Sequence, residues 1–360
     1  MLQTEKLQRV LSRMEAEGIP QLLVTDPAAV FWLTGKWIHP GERFLGLLLA
    51  KDKEPVLYIN ALFMFPADIG VRKVYYSDTD SITELLRTNI DPSLPLGVDK
   101  ILPARFLLPL MEAGIAAGFV NGSVLVDTER SLKDETEREK MRAASLVNDR
   151  AMEQFKGLVY EGVTEKEVAA RLEGIYRALG ASGHSFDPIV AFGDNAADPH
   201  HMPDDTKLRE GDIVLFDVGC VLDDYCSDMT RTFFFKKEPD EETKRIYNLV
   251  RRANETAESV LRPGIPLCEI DKTARDIITE GGYGPNFTHR LGHFIGVEVH
   301  EYGDVSAAFD CPAMPGNVFS IEPGIYAPGT AGVRIEDLVL ITETGYEVLN
   351  HYPHDIEVIG

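Results

Sequence analysis

The chain has 360 residues, of which 44% are apolar and 26% charged, a composition typical of a globular protein with two domains. Asp and Glu number 58 against 36 Lys and Arg, a formal net charge of −22, so the surface should repel nucleic-acid phosphates and anionic lipids. No run approaches the ~18 consecutive apolar residues of a membrane span. The four cysteines form no Cys-x-x-Cys pair, which excludes a zinc ribbon. We therefore expect a cytoplasmic protein without nucleic-acid or membrane partners.

The first part of the chain alternates between amphipathic helices and short apolar strands. Helices are predicted for residues 2–17, 81–88 and 104–112, and strands for residues 21–25, 44–50, 55–60, 95–98 and 123–126. This alternation predicts a small α/β domain over residues 1–128. A charged helix begins after residue 131, with acids in its first turns, where the helix dipole favours negative charge. The second domain is therefore predicted to cover residues 131–360.

The second domain contains an internal repeat. The sequence GVTEKEV at 162–168 follows one helix and opens another, and GIPLCEI does the same at 264–270, 102 residues later. The strand GDIVLFDVG at 211–219 is echoed by GNVFSIEPG at 316–324, 105 residues later. Two nearly equal offsets predict two similar halves, each with two helices followed by strands. Asp217 and Glu322 then occupy equivalent positions, so facing halves would bring both carboxylates to one place.

Four acids and one histidine lie in or beside apolar strands of this repeat: Asp217, Asp228, His293, Glu322 and Glu336. A carboxylate in a low-dielectric interior needs a cation or a proton. For Asp217 and Asp228 the alternative is a hairpin with solvated ends. An oxygen-rich set with one imidazole suits Mn²⁺, Co²⁺ or Fe²⁺ better than a thiolate-type zinc site. Five ligands suit two metals that share bridging carboxylates.

The motifs around these residues resemble those of a known family. Asp-x-Gly, Ser-Asp-x-Thr-Arg, Gly-His-x-Ile-Gly, Glu-Pro-Gly and Arg-Ile-Glu-Asp occur here in that order, as in the dinuclear pita-bread metallopeptidases. That family includes methionine aminopeptidase, aminopeptidase P and prolidase, and the chain is most similar to bacterial Xaa-Pro dipeptidases (prolidases). The resemblance implies an α+β fold in which residues 131–360 form a pita-bread domain with a pseudo-twofold repeat. Residues 1–128 resemble the smaller α/β N-terminal domain of prolidases and aminopeptidases P.

The resemblance also implies the roles of individual residues. The metal ligands would be Asp217, Asp228, His293, Glu322 and Glu336. Glu322 would also shuttle a proton, and His200 and His300 would act on the substrate carbonyl, with His201 as an alternative to His200. Arg334 would orient a ligand carboxylate or bind substrate, unless it is an ordinary arginine at the rim of the core. Phe294, where many relatives have glycine, would narrow the mouth of the pocket.

The implied activity is hydrolysis of the Xaa-Pro bond of dipeptides by a hydroxide that bridges two divalent metals. Mn²⁺ is expected, with Co²⁺, Fe²⁺ and Zn²⁺ as alternatives. An aminopeptidase P-like enzyme acting on longer peptides is the nearest alternative function, followed by a non-catalytic binding protein and a metal-free creatinase-like hydrolase. The resemblance further implies a homodimer with small peptides as substrates. The turn at residues 39–43 is then a candidate to reach a neighbouring subunit's active site.

Overall fold

The computed structural model describes all 360 residues. The chain divides into an N-terminal unit, Met1–Arg130, and a C-terminal unit, Ser131–Gly360. None of the helices combines the length and the apolar character needed to span a bilayer.

The N-terminal unit is built on one six-stranded sheet. Its helices are α1 (Thr4–Ala16), α2 (Pro27–Thr34), α3 (Ile82–Arg87), α4 (Ala104–Glu112) and α5 (Ser123–Arg130). Its strands are β1 (Gln21–Val24), β2 (Leu45–Ala50), β3 (Val56–Asn60), β4 (Arg72–Tyr76), β5 (Pro95–Val98) and β6 (Gly118–Asn121). The strand order is β4-β3-β2-β1-β5-β6. Neighbouring side chains of a strand point to opposite faces, so Leu22 and Leu23 belong to two separate apolar clusters.

One predicted element of this unit is wrong. Residues 123–126 were expected to form a strand, but they open helix α5, in which Leu125 and Val126 are buried. A short apolar run cannot be assigned to a strand or a buried helix from periodicity alone. Helix α2 and strands β4 and β6 were not predicted, because their sequences lack a clear alternating or helical pattern.

The C-terminal unit has four helices and fourteen strands. The helices are α6 (Glu135–Phe155), α7 (Glu165–Ala178), α8 (Glu241–Ser259) and α9 (Leu267–Glu280). The strands are β7 (Gly183–His184), β8 (Ile189–Phe192), β9 (Ile213–Val218), β10 (Cys220–Leu222), β11 (Tyr225–Cys226), β12 (Met229–Phe235), β13 (Gly292–Phe294), β14 (Glu301–Val305), β15 (Val318–Ile321), β16 (Gly324–Ala327), β17 (Ala331–Arg334), β18 (Asp337–Ile341), β19 (Tyr346–Val348) and β20 (Val358–Ile359). The two main sheets have the orders β20-β12-β9-β8 and β14-β13-β15-β18-β19.

The predicted internal repeat is confirmed. Helices α6 and α7 precede all strands of the first main sheet, and α8 and α9 precede all strands of the second. Gly162 and Gly264 occupy equivalent turns before α7 and α9, with φ of 86° and 83°, a conformation that favours glycine. The Gly162 N–H donates to the Leu208 carbonyl at 2.8 Å, and the Gly264 N–H donates to the Ala313 carbonyl at 2.7 Å. The chain therefore has the predicted α+β architecture with a pseudo-twofold C-terminal unit.

Candidate active site

The predicted acidic ligands come from both halves of the C-terminal unit. Asp217 lies in β9 opposite Thr230 of β12, and Asp228 immediately precedes β12. In the second half Glu322 follows β15, and Glu336 lies between β17 and β18. Because strands pair within each half, each pair of acids is fixed on a rigid backbone.

The structure brings these groups to one place. The nearest ligand atoms of Asp228, His293 and Glu336 all lie within 4.8 Å of one another, and all three residues are buried. His293 Nε2 lies 3.5 Å from Glu322 Oε1 and 3.6 Å from Asp228 Oδ2. Solvated hairpin ends, the alternative reading of the first two acids, do not describe Asp228, which is only 4% exposed.

Hydroxyl groups fix the orientation of two of the acids. The Thr230 hydroxyl donates to Glu336 Oε2 at 2.6 Å. The Ser320 hydroxyl donates to Glu322 Oε1 at 3.0 Å and accepts the His293 backbone N–H at 3.0 Å. Each acid thus retains a free carboxylate oxygen, while its side chain is held in one position.

The imidazole of His293 presents a lone pair to the acids. Its Nδ1 lies 3.3 Å from the Phe294 carbonyl oxygen, which only accepts hydrogen bonds, so the proton is assigned to Nδ1. Burial, followed by the charge of the neighbouring His300, lowers the pKa of His293 to about 3. A neutral ring with its Nε2 lone pair facing two carboxylates is the form in which histidine binds a metal.

Burial and mutual repulsion disfavour the ionised forms of the acids when no cation is bound. Burial, followed by the charges of Glu336 and Asp217, raises the pKa of Asp228 far above its usual range. Burial likewise raises the pKa of Glu336, and the charge of Glu322 adds to the effect. Asp228 Oδ1 is buried and has no hydrogen-bond partner. Because a buried carboxylate needs a cation or a proton, four acids and a neutral imidazole fit divalent metal ions.

One arginine already offsets part of this negative charge. The Arg334 guanidinium is 3% exposed and donates through NH2 to Asp217 Oδ2 at 2.5 Å. Its Nε donates to the Thr230 hydroxyl, and its NH1 donates to the Tyr326 hydroxyl at 2.8 Å and the Pro199 carbonyl at 3.4 Å. All three guanidinium nitrogens thus have acceptors within the protein. This arrangement favours the orienting role predicted for Arg334 over direct binding of substrate.

A cavity of about 680 Å³ opens above the acids. All eight predicted site residues line it, and they are His200, Asp217, Asp228, His293, His300, Glu322, Arg334 and Glu336. His200 lies in the loop after the short 3₁₀ helix Gly193–Ala197. The adjacent His201 does not line the cavity, because its Nε2 lies 2.7 Å from Glu165 Oε2. The geometry thus favours His200 over His201 as the histidine that faces a substrate.

Three further residues were not predicted from the sequence: His289 and Arg290, which line the cavity, and Tyr326, which contacts His289. His289 Nε2 lies 2.8 Å from the Tyr326 hydroxyl, and burial lowers the pKa of His289 to about 4. Arg290 lines the cavity with its side chain 37% exposed, and it donates through NH1 to Asp304. His289 could have been found from its place four residues before His293, but Tyr326 gave no signal within its apolar strand.

The expected effect of Phe294 on the pocket mouth is wrong. The ring lies outside the cavity wall and stacks at a tilt against Phe319, with 5.4 Å between centroids, and Phe294 is 3% exposed. Successive side chains of a strand point to opposite faces. His293 faces the acids, whereas the Phe294 ring belongs to the apolar core of the C-terminal unit.

The comparisons with known proteins agree with this arrangement. Residues 139–343 match the model of metallopeptidase family M24, and residues 6–132 match the creatinase/prolidase N-terminal domain. An uncharacterized peptidase of Staphylococcus aureus (strain bovine RF122 / ET3-1) is 41% identical, over 96% of this chain and 99% of the relative. The chain belongs to metallopeptidase family M24, and its C-terminal unit has the pita-bread fold.

Two solved structures with a similar fold belong to enzymes whose named activities differ. The Xaa-Pro dipeptidase from Bacillus anthracis is 31% identical, covers 99% of each chain and has a TM-score of 0.91. The X-Pro aminopeptidase from Thermotoga maritima MSB8 is 30% identical, with 97% of this chain and 100% of that chain covered and a TM-score of 0.82. The fold is therefore shared by dipeptidases and aminopeptidases.

Proposed function

We propose that the protein is a metal-dependent Xaa-Pro dipeptidase. The observation that carries the metallopeptidase chemistry is the neutral His293 imidazole, which directs its lone pair at Asp228 and Glu322 on the floor of a peptide-sized cavity. Asp217, Asp228, His293, Glu322 and Glu336 would hold two divalent ions, with Mn²⁺ as the expected metal. When bound, the ions would supply an activated water and polarise the scissile carbonyl.

The protein's own groups provide the proton transfers. The Glu322 carboxylate lines the cavity beside His293, within reach of a water that the ions would hold. Glu322 therefore takes a proton from the attacking water and delivers it to the proline nitrogen, which is a poor leaving group unless protonated. His200 and His300 line the same cavity, and they would donate hydrogen bonds to the oxygen on which negative charge develops.

The preference for dipeptides depends on recognition of a free carboxylate. Two arginines that could bind this carboxylate already have partners. The guanidinium of Arg334 is fully used by protein acceptors, and Arg43, at the end of the turn at residues 39–43, donates to Asp78 within the N-terminal unit. Arg290 is the remaining arginine of the cavity wall, and its side chain is partly exposed there. We assign Arg290 to the carboxylate of the leaving proline, because a guanidinium matches a carboxylate in charge and geometry.

One observation favours the aminopeptidase alternative. Arg290 already pairs with Asp304, which neutralises part of its charge, and a longer peptide places no carboxylate at this position. The two functions differ in the substrates they accept. The dipeptidase predicts rapid hydrolysis of Leu-Pro and little cleavage of Leu-Pro-Gly or of Leu-Pro amide.

The test compares kcat/KM for Leu-Pro, Leu-Pro amide and Leu-Pro-Gly on Mn²⁺-loaded protein and on variants. Arg290→Met should raise KM for Leu-Pro and reduce the preference over the amide. Arg262→Met is the matched control, because Arg262 is an exposed arginine outside the cavity wall. Equal kcat/KM on dipeptide and tripeptide would move the assignment to an aminopeptidase. Bound metal without cleavage of any peptide would favour a non-catalytic binding protein.

Four predictions from the sequence remain proposals of their own. They are manganese as the metal in the cell, a homodimer, a cytoplasmic location, and an active-site role for residues 39–43 in a neighbouring subunit. Metal analysis of protein purified from its host, sedimentation of the full chain and cell fractionation would test the first three.

A further inference from the structure

One of the buried carboxylates outside the predicted ligand set, Glu165, lies next to the loop that carries His200. Glu165 is the first residue of α7 and is fully buried, with a relative exposure of 0%. A carboxylate at a helix N-terminus benefits from the helix dipole, but full burial still requires hydrogen-bond donors for both oxygens. The groups that donate hydrogen bonds to Glu165 identify the segment of the chain that Glu165 fixes in place.

Four donors reach Glu165, and all of them come from residues 192–204. Oε1 accepts the Phe192 backbone N–H at 2.7 Å and the Asn195 side-chain amide at 2.9 Å. Oε2 accepts the Asp204 backbone N–H at 2.9 Å and lies 2.7 Å from His201 Nε2. An ionised carboxylate only accepts hydrogen bonds, so His201 must carry its proton on Nε2. One side chain thus fastens both ends of a single loop.

This loop carries His200 into the cavity. His200 immediately precedes His201, whose ring is held by Glu165. The backbone N–H of His200 donates to Asp198 Oδ1 at 3.0 Å. His200 is exposed at the cavity wall. The position of its ring is therefore set by the backbone of the loop, and the backbone is set by Glu165.

We propose that Glu165 is a positioning residue that holds the loop of residues 192–204 so that His200 faces the substrate. The proposal rests on the proposed function, because it requires His200 to act on the scissile carbonyl. Glu165, His201 and Asp204 also have potential metal-ligand atoms within 4.8 Å of one another. A cation there would have to displace hydrogen bonds from Glu165, since both of its oxygens already accept two. The cluster is therefore an anchor for the loop and not a metal site.

The first test replaces Glu165 by its neutral isostere. In Glu165→Gln, one oxygen keeps its donors, but the new amide group faces the Asp204 N–H and His201. The loop should shift, and a misplacement of about 1 Å can cost on the order of 10² in rate. We expect kcat for Leu-Pro to fall by roughly 10- to 100-fold, with KM and metal content near those of the parent. Amide hydrogen exchange at Phe192 and Asp204 should accelerate.

A double-mutant cycle separates positioning from a general structural effect. In the His200→Ala background, Glu165→Gln should lower kcat by no more than about twofold, since the group that it positions is already gone. Glu167→Gln is the matched control, because Glu167 lies in the same helical turn and caps the helix with Thr164 without reaching the loop. It should lower the unfolding midpoint but leave kcat and exchange at Phe192 and Asp204 unchanged.

If Glu165→Gln does not fold, His201→Ala replaces it, because it removes one of the four donors. It should lower kcat by less than Glu165→Gln would, and this fall should again disappear in the His200→Ala background. An equal fall in both backgrounds, or unchanged kcat with accelerated exchange, would overturn the proposal. A parent enzyme that binds metal but cleaves no Xaa-Pro peptide would instead refute the proposed function. The exchange comparison between Glu165→Gln and Glu167→Gln would still decide whether Glu165 anchors the loop.

Discussion

Gly292→Ala is the perturbation whose consequence follows most directly from the structure. Gly292 begins β13, the strand that carries His293, and β13 lies between β14 and β15. A Cβ atom at position 292 would lie 1.8 Å from the Ser320 carbonyl oxygen, whereas ordinary contacts begin at 3.4 Å. The obstructing atom belongs to the backbone and cannot rotate away. The two strands must therefore separate locally by roughly 1.6 Å, the difference between these distances.

The separation would act directly on the proposed ligands. Ser320 accepts the His293 N–H and donates to Glu322, so it couples the positions of both side chains. His293 Nε2 and Glu322 Oε1, now 3.5 Å apart, would move relative to each other. Overpacking of this kind costs about 1–3 kcal/mol of stability. A shift above 1 Å at the reacting groups lowers the rate by on the order of 10².

The assay is urea unfolding together with metal content and kcat/KM for Leu-Pro. We expect Gly292→Ala to unfold at lower urea, to bind less metal and to lose activity even when saturated with Mn²⁺. Gly174→Ala is the matched control, because a Cβ at this exposed position in α7 meets no heavy atom within 4 Å. It should gain about 0.5–1 kcal/mol without any change in activity. Parent-like stability and activity in Gly292→Ala would refute the reasoning from strand spacing.

Three other predictions follow from the same geometry. Prolonged chelation should abolish peptidase activity and Mn²⁺ or Co²⁺ should restore it; activity that survives chelation and dialysis would contradict the metal reading. Asp228→Ala should lower both metal content and rate, whereas His200→Ala and His300→Ala should keep most of the metal and lose turnover; equal metal loss in all three variants would contradict the assigned roles. Burial and the charge of Asp337 raise the pKa of Glu258, so the folded state holds a proton that the unfolded state releases above about pH 4.3, and stability from this group is lost as pH rises. Glu258→Gln should therefore unfold at higher urea than the parent at pH 8 but not at pH 4, and the same difference at both pH values would contradict the shift.

The sequence predicted the C-terminal site better than the N-terminal sheet, and the reason is physical. Acids inside apolar strands violate the usual burial rule, so Asp228 and Glu336 stood out without any knowledge of packing. Residues 123–126 fit that rule both as a strand and as part of a buried helix, so the predicted strand could not be told from the helix that they form. Tyr326 could not be predicted either, because an aromatic residue is common in a strand. Only the structure shows that its hydroxyl contacts His289 and Arg334.

Contacts between the two halves of the repeat explain why the site and the fold depend on each other. Thr230 of the first half donates to Glu336 of the second, and Arg334 of the second donates to Asp217 of the first. Arg231 donates to the Glu336 carbonyl at 2.7 Å, so the backbone of that acid is also held across the repeat. Acids brought together by two halves repel each other, and Arg334 supplies only one positive charge against four carboxylates. Metal ions that bind these acids would therefore also hold the halves together, so that the free energy of binding contributes to the free energy of folding.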